Sequence, residues 1–195
     1  ATTESVDPIR TLSNRASGKT GLEVARACRV RGAEVVLVHD GPDLPWATVE
    51  RIESAAEMLA AVREHAGEAD ALVSAAAISD YTIETAPEKI RSGQEGLTLE
   101  LEPTPKLIDT VRDEHPDLPI VGFKAESEEG EENIVEQARR IRDRAELAFV
   151  VGNAASVMGE AETRAAIVDD EVEWFEGSKA DLGARVAERL AAELE

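Results

Sequence analysis

An α/β fold with a mostly parallel sheet, covered by helices on both faces, is what this 195-residue sequence predicts. Three observations carry the prediction. Apolar, β-branched runs such as Glu34-Val35-Val36-Leu37-Val38 and Leu147-Ala148-Phe149-Val150-Val151 recur along the chain. Stretches of helical periodicity, long enough to cross between parallel strands, separate them. Most of the runs lack the strict alternation of a sheet with one wet face, so they read as strands buried on both sides.

Each element follows in order. The chain opens in a loop, with no strand ahead of Ala1, so the first strand of such a sheet is expected to be missing. A loop of small residues then leads into a helix over 19–31, which Gly32 stops. Strand 34–38 ends at His39-Asp40-Gly41-Pro42, and 49–52 is a short strand. Ser54, with Glu57 three residues on, is a capping box opening a helix to residue 66.

Strand 71–76 follows, then a polar loop over 78–94, and 97–101 alternates as a half-exposed strand. Thr104-Pro105 opens a helix to residue 114, with Pro at its first position. Residues 119–123 are a strand, 131–144 a helix and 147–151 a strand; 165–168 with 172–175 form a hairpin, and a last helix starts at 180. Ligand-bearing loops in such a sheet sit at the carboxyl ends of the strands, which places them at 76–89, 123–126 and 152–155.

A hydrophobic content of 43% with 32% charged residues fits one folded domain over 1–195. The longest apolar run, 71–79, is too short to span a bilayer, and no targeting segment is visible, so a cytoplasmic protein without a membrane partner is expected. The single Cys28 lies in a helical run and reads as a buried structural thiol. A net charge of -20, spread along the whole chain, disfavours a nucleic-acid partner bound through a broad basic face, since nothing there would neutralise a row of phosphates. It fits a high-salt proteome, in which self-repulsion is screened. Of the 21 cations five are lysines, namely Lys19, Lys89, Lys106, Lys124 and Lys179, and each stands out on so acidic a surface.

Ser13-Asn14-Arg15-Ala16-Ser17-Gly18-Lys19-Thr20 looks like a phosphate-binding P-loop but has Ser13 where that motif needs Gly. Its small residues still expose backbone N–H groups at a helix start, which favours an anion; the plainer reading is a helix cap with Lys19 in solvent. A nicotinamide-dependent oxidoreductase of Rossmann type is the alternative, although its Gly-rich fingerprint is absent. In Ala75-Ala76-Ala77-Ile78-Ser79-Asp80-Tyr81 three alanines let a flat ring approach the backbone, and Asp80 could hold a ribose or a divalent ion. Lys89 could swing onto phosphate, while Phe123 reads equally as core or as a base-stacking platform.

These stretches, with Glu4-Ser5-Val6-Asp7-Pro8-Ile9-Arg10, Pro87-Glu88-Lys89-Ile90, Thr104-Pro105-Lys106-Leu107, Gly122-Phe123-Lys124-Ala125-Glu126 and Val151-Gly152-Asn153, resemble the phosphopantothenate-cysteine ligase family across essentially the whole chain. The variants at Lys106 and Lys124 look archaeal-like. The resemblance implies a three-layer α/β/α Rossmann-like (ribokinase-like) fold and a cytoplasmic homodimer. It also allows a larger bifunctional assembly with a flavin decarboxylase upstream, or a chain not competent by itself.

What the resemblance implies about chemistry is a ligase that joins 4'-phosphopantothenate to cysteine, with CTP as co-substrate and Mg2+ as its ion. Asn14 then contacts the phosphopantothenate carboxylate and its acyl-nucleotide, and Arg10 supports the same region. Lys89 meets the triphosphate. Asp80 lies near nucleotide and metal, Phe123 beside the base, and Pro105, Lys106 and Leu107 approach the nucleotide. Ser17, Gly18, Ala75 and Ala76 line the nucleotide site, and Arg140 and Arg144 stand where the family carries two lysines.

Overall fold

The computed structural model describes residues 1–93, 95–126, 130–154 and 162–195. Among these, β1 (Thr3–Ser5) and β2 (Thr11–Ser13) pair as a short antiparallel hairpin ahead of α1 (Lys19–Val30). β3 (Val36–His39) and β4 (Thr48–Arg51) form a parallel pair, followed by α2 (Ala55–Ala66) and β5 (Leu72–Ser74). The bridge of β6 (Tyr81–Thr82) with β7 (Glu102–Pro103) precedes α3 (Leu107–Glu114) and β8 (Ile120–Glu126). The chain finishes with α4 (Glu131–Ala145), β9 (Phe149–Ala154), β10 (Glu162–Val168), β11 (Val172–Ser178) and α5 (Lys179–Glu193).

The central sheet has the order β11-β10-β9-β8-β5. β5, β8 and β9 run parallel, and the hairpin of β10 and β11 adds two antiparallel strands. Alternation along each strand divides the core into two layers. Val121, Phe149, Val151, Ala165 and Ile167 face Val24 of α1 and Leu182, Val186 and Leu190 of α5. Ile120, Val150, Ala166 and Val168 face Met58 and Val62 of α2, Val111 of α3, and Ile134 and Ala138 of α4. This is the expected three-layer α/β/α arrangement. Fully burying each Leu, Val or Ile side chain stabilises it by about 1.5–3 kcal/mol.

One contact fixes how closely the first layer packs. A Cβ on Gly183 of α5 would stand 2.7 Å from the carbonyl carbon of Glu23 in α1. Only a glycine lets the two helix backbones approach so far. Cys28 sits beside this layer, half-buried, and burial pushes its thiol pKa up, as suits a structural side chain.

Four expectations change. Residues 3–5 and 11–13 form strands where a loop was expected. The alternating run 97–101 is not a strand: Leu97 and Leu101 are exposed, and only the next two residues find a partner, in β6. Helix α3 begins at Leu107 behind an extended Lys106, so Pro105 lies outside it. The last hairpin is longer than predicted, because pairing continues from Glu162 with Ser178 to Val168 with Val172.

Thr2 and Thr3 tie the start of the described residues to the ends of two strands. Thr3 N donates to Glu53 O at 2.7 Å and Thr2 N to Ala77 O at 3.1 Å. No helix among the described residues is long and apolar enough to cross a membrane.

Candidate functional site

The carboxyl end of β5 is where the sequence-predicted residues converge. Ala75, Ala76 and Ala77 leave the strand without side-chain bulk, and the open backbone that results is used from three directions. From α1, a Cβ on Gly21 would stand 3.4 Å from that of Ala75, so the first turns of the helix rest directly on the loop. From the approach to α1, Asn14 Nδ2 donates to Ala77 O at 3.1 Å. From the segment before α3, Thr104 Oγ1 donates to Ser79 O at 2.6 Å and Thr104 N to Asp80 O at 3.0 Å.

Lys106 completes this third approach by pairing with the Asp80 carboxylate, both side chains being more than half exposed. Asn14, Ala75, Ala76, Asp80, Pro105 and Lys106 therefore belong to one surface. Leu107 does not join them through its side chain, which is 5% exposed and packs in the core with Val111, where it anchors α3.

The start of α1 borders the same surface. Gly18 takes a left-handed conformation with φ 69°, no side chain caps the helix, and its first turn carries no acid. The other helices differ: α2 has its capping box, Ser178 caps α5, and α3 and α4 carry acids in their first turns. This helix start, beside exposed Ser17 and Gly18, thus carries partial positive charge with no acid in its first turn to offset it.

Lys89 is exposed, and it takes part in no hydrogen bond or ion pair among the described residues. Its loop is tied to the amino-terminal turn. Thr85 Oγ1 donates to Ser5 O at 2.8 Å, Ala86 N to Val6 O at 2.9 Å, and Arg10 Nη2 to Ile90 O at 3.0 Å. Arg10 accordingly acts on the lysine loop, whereas Asn14 acts on the loop after β5. Phe123 lies near the end of β8, partly buried against the layer of α1 and α5, as a core residue with one accessible side.

Arg140 and Arg144 are not brought to this surface. Helix α4 starts at the carboxyl end of β8 and runs back toward the start of β9, at about 1.5 Å per residue. Arg144 is thereby carried roughly 20 Å from the helix start, and it pairs with Asp109 of α3 at 2.6 Å. Arg140 is exposed one turn before it. Both arginines thus lie along α4, away from the face that Asn14 and Lys106 share. Of the loops expected at 123–126 and 152–155, the side chains of Glu126 and Ala154 and all of Ala155 lie outside the described residues.

Neither of two surface hollows coincides with the site. One, about 490 Å³, lies between α4 and β11 and is lined by Glu131, Glu132, Glu136, Val135 and Trp174. The other, about 380 Å³, lies at the opposite sheet edge around Ala66 to Asp70 and His115 to Pro119. The converging loops form an open face instead. Among the described residues no three His, Cys, Asp or Glu side chains gather as a metal cluster.

Reading by motif missed the polar residues that hold this face together. Thr2 is wholly buried and accepts from Ser79 N at 2.8 Å through Oγ1. Glu4, 3% exposed, accepts from Ala55 N and from Thr82 Oγ1, both at 2.9 Å. Asp7 is buried too. The signal was present in Asp7-Pro8, a turn-forming pair, but burial cannot be read from a charged residue near a chain end.

The family model for the DNA/pantothenate metabolism flavoprotein C-terminal domain matches residues 1–194. The Coenzyme A biosynthesis bifunctional protein CoaBC of Thermococcus kodakarensis is 40% identical over 173 residues, covering 86% of this chain and 43% of that protein. The protein of the same name from Methanocaldococcus jannaschii is 32% identical over 194 residues, covering 97% and 48%. A crystal structure of the C-terminal domain of CoaBC matches with a TM-score of 0.80 at 25% identity, covering 99% of this chain and 91% of that one. The chain thus spans about half the length of these curated relatives, and the matches displace the nicotinamide-dependent oxidoreductase reading. With a family match that runs from Ala1 to the penultimate residue and a solved relative of the same architecture, this chain belongs to the DNA/pantothenate metabolism flavoprotein C-terminal domain family.

Proposed function

We propose that this domain is the phosphopantothenate-cysteine ligase of coenzyme A biosynthesis. One observation carries the reading: the loop after β5 binds Asn14 and the Thr104 to Lys106 segment, next to an uncapped helix start. Donors for an acyl group and positive potential for a triphosphate therefore share one face.

The reaction has two steps. A carboxylate oxygen of 4'-phosphopantothenate attacks the α-phosphorus of CTP, the bond to the bridging oxygen breaks, and pyrophosphate leaves. The amine of cysteine then attacks the acyl carbon, loses a proton, and CMP departs. Lys89 and the N–H groups of α1 offset charge on the triphosphate during the first step. Asn14, held at Ala77, orients the carboxylate and its acyl-nucleotide through both steps.

The residues fit magnesium in a limited way. Asp80 offers one carboxylate, shared with Lys106, and Mg2+ is commonly held by one or two carboxylates plus substrate phosphates and waters. When bound, the ion offsets charge on the phosphates. The reading extends to a homodimer acting in the cytoplasm, within a bifunctional assembly like that named for the relatives.

The test is mass detection of an acyl-nucleotide from phosphopantothenate, magnesium and each triphosphate in turn, with cysteine left out. An acyl-cytidylate is expected with CTP, and Lys89→Ala should slow its formation about 10²–10³-fold while leaving a measurable rate. No acyl-nucleotide with any triphosphate, or pyrophosphate release unchanged in Lys89→Ala, would refute the assignment.

A further inference from the structure

We propose that Asp7 is a positioning residue for Lys89, holding the backbone of the adjacent Ile90 through a carboxylate shared with Arg10. The inference rests on Lys89 meeting the triphosphate, as proposed above.

The geometry is that of a clamp. Asp7 Oδ1 accepts from Ile9 N at 2.8 Å and from Arg10 N at 2.9 Å, which closes the turn after β1. Its Oδ2 accepts from Arg10 Nη1 at 2.6 Å and from Ile90 N at 3.1 Å. Arg10 Nη2 then donates to Ile90 O at 3.0 Å, so one Asp-Arg pair occupies both polar groups of a single residue's backbone. A second anchor lies four residues earlier, where Ala86 N meets Val6 O at 2.9 Å. Between the anchors stand Pro87, Glu88 and Lys89, all exposed.

This arrangement fixes the backbone of Lys89 and leaves its side chain free. A long lysine loses much rotamer freedom when it engages a phosphate, and a backbone already held in place removes part of that cost. The Asp7 side chain has no solvent exposure, and a buried carboxylate is tolerated only when hydrogen bonds satisfy it. Four donors do so here. The same carboxylate thus serves the turn with one oxygen and the lysine loop with the other. A residue needed only for the turn would use the first oxygen alone.

The experiment is a double-mutant cycle on the full chain, read by steady-state pyrophosphate release with CTP, magnesium, phosphopantothenate and cysteine. Asp7→Asn should lower the rate at least tenfold, mainly in kcat, with the KM for phosphopantothenate held within about twofold. Added to Lys89→Ala, it should cost nothing further, since the positioned group is already gone. A general structural defect would instead add its full loss to that of Lys89→Ala, and that result overturns the proposal. So does a wild-type rate in Asp7→Asn while Lys89→Ala is impaired. Should Asp7→Asn fail to fold, Arg10→Lys, which drops the guanidinium fork, is carried through the same cycle and decides by the same criteria. A wild-type rate in Lys89→Ala refutes the ligase role of the lysine, and the proposal about Asp7 falls with it.

Discussion

Asn14 donates its side-chain amide to the backbone carbonyl of Ala77, at 3.1 Å and across 63 positions of sequence. Through that bond the segment before α1 is locked onto the loop after β5. Asn14→Asp would remove the donor and set a carboxylate against the carbonyl. Ligase turnover should fall about 10²–10³-fold, the usual cost of losing one well-placed donor. The bond is exposed and worth only about 1 kcal/mol, so the melting temperature should move by a few degrees at most. Turnover and a thermal melt on the same preparation check both halves.

Gly183→Ala should destabilise the fold without touching the site. Its new Cβ would stand within 2.9 Å of three backbone atoms, belonging to Glu23 and Val24 of α1. The two helices must then part, at about 1–3 kcal/mol for overpacking. For a chain of this size that corresponds to a drop of roughly 2–4 °C per kcal/mol, read in a melting curve.

Asp7 sets an acid limit to stability. Burial pushes its pKa up, but the N–H groups of Ile9, Ile90 and Arg10, with the Arg10 charge, outweigh this and hold the carboxyl below its ordinary 3.8. A depressed carboxyl contributes its full stabilisation above the unfolded value, and loses it as pH falls through the folded one. Melting temperature should therefore drop on acidification below about pH 4, and the drop should be shallower in Asp7→Asn. Melts from neutral to strongly acidic buffer supply the comparison.

With a net charge of -20, the chain should gain stability with salt. Self-repulsion on this surface is screened over about 10 Å at 0.1 M and about 3 Å at 1 M. The melting temperature should rise continuously from low to molar potassium chloride, and equal melting at both extremes would remove the case for a high-salt protein.

The sheet's inner strands were legible in the sequence because they are buried on both faces, so their apolar runs are continuous. Helix α1 was legible over almost its whole predicted length, and the capping box at Ser54 and Glu57 is present as read. The alternating leucines at 97, 99 and 101 misled for a definite reason. Alternation marks a strand only if another strand lies alongside, and here pairing begins one residue later, at Glu102. Arg140 and Arg144 show a different limit: a charge matched by motif says nothing about which end of a 15-residue helix it occupies.

By itself the sequence determined the α/β class, the order of the five helices and of the central-sheet strands, and the short motifs that mark Asn14, Asp80 and Lys89. Periodicity, caps and turn residues act over a few positions, so they can be read locally. Only the tertiary structure decided which motifs meet. Asn14 reaches Ala77, Thr104 reaches Ser79 and Asp7 reaches Ile90, through hydrogen bonds spanning 63, 25 and 83 positions. Such bonds require parallel strands, with their crossovers, to deliver distant loops to one edge. It was also the packing that sent Leu107 inward and buried Asp7, because burial belongs to what surrounds a residue once the chain has closed around it.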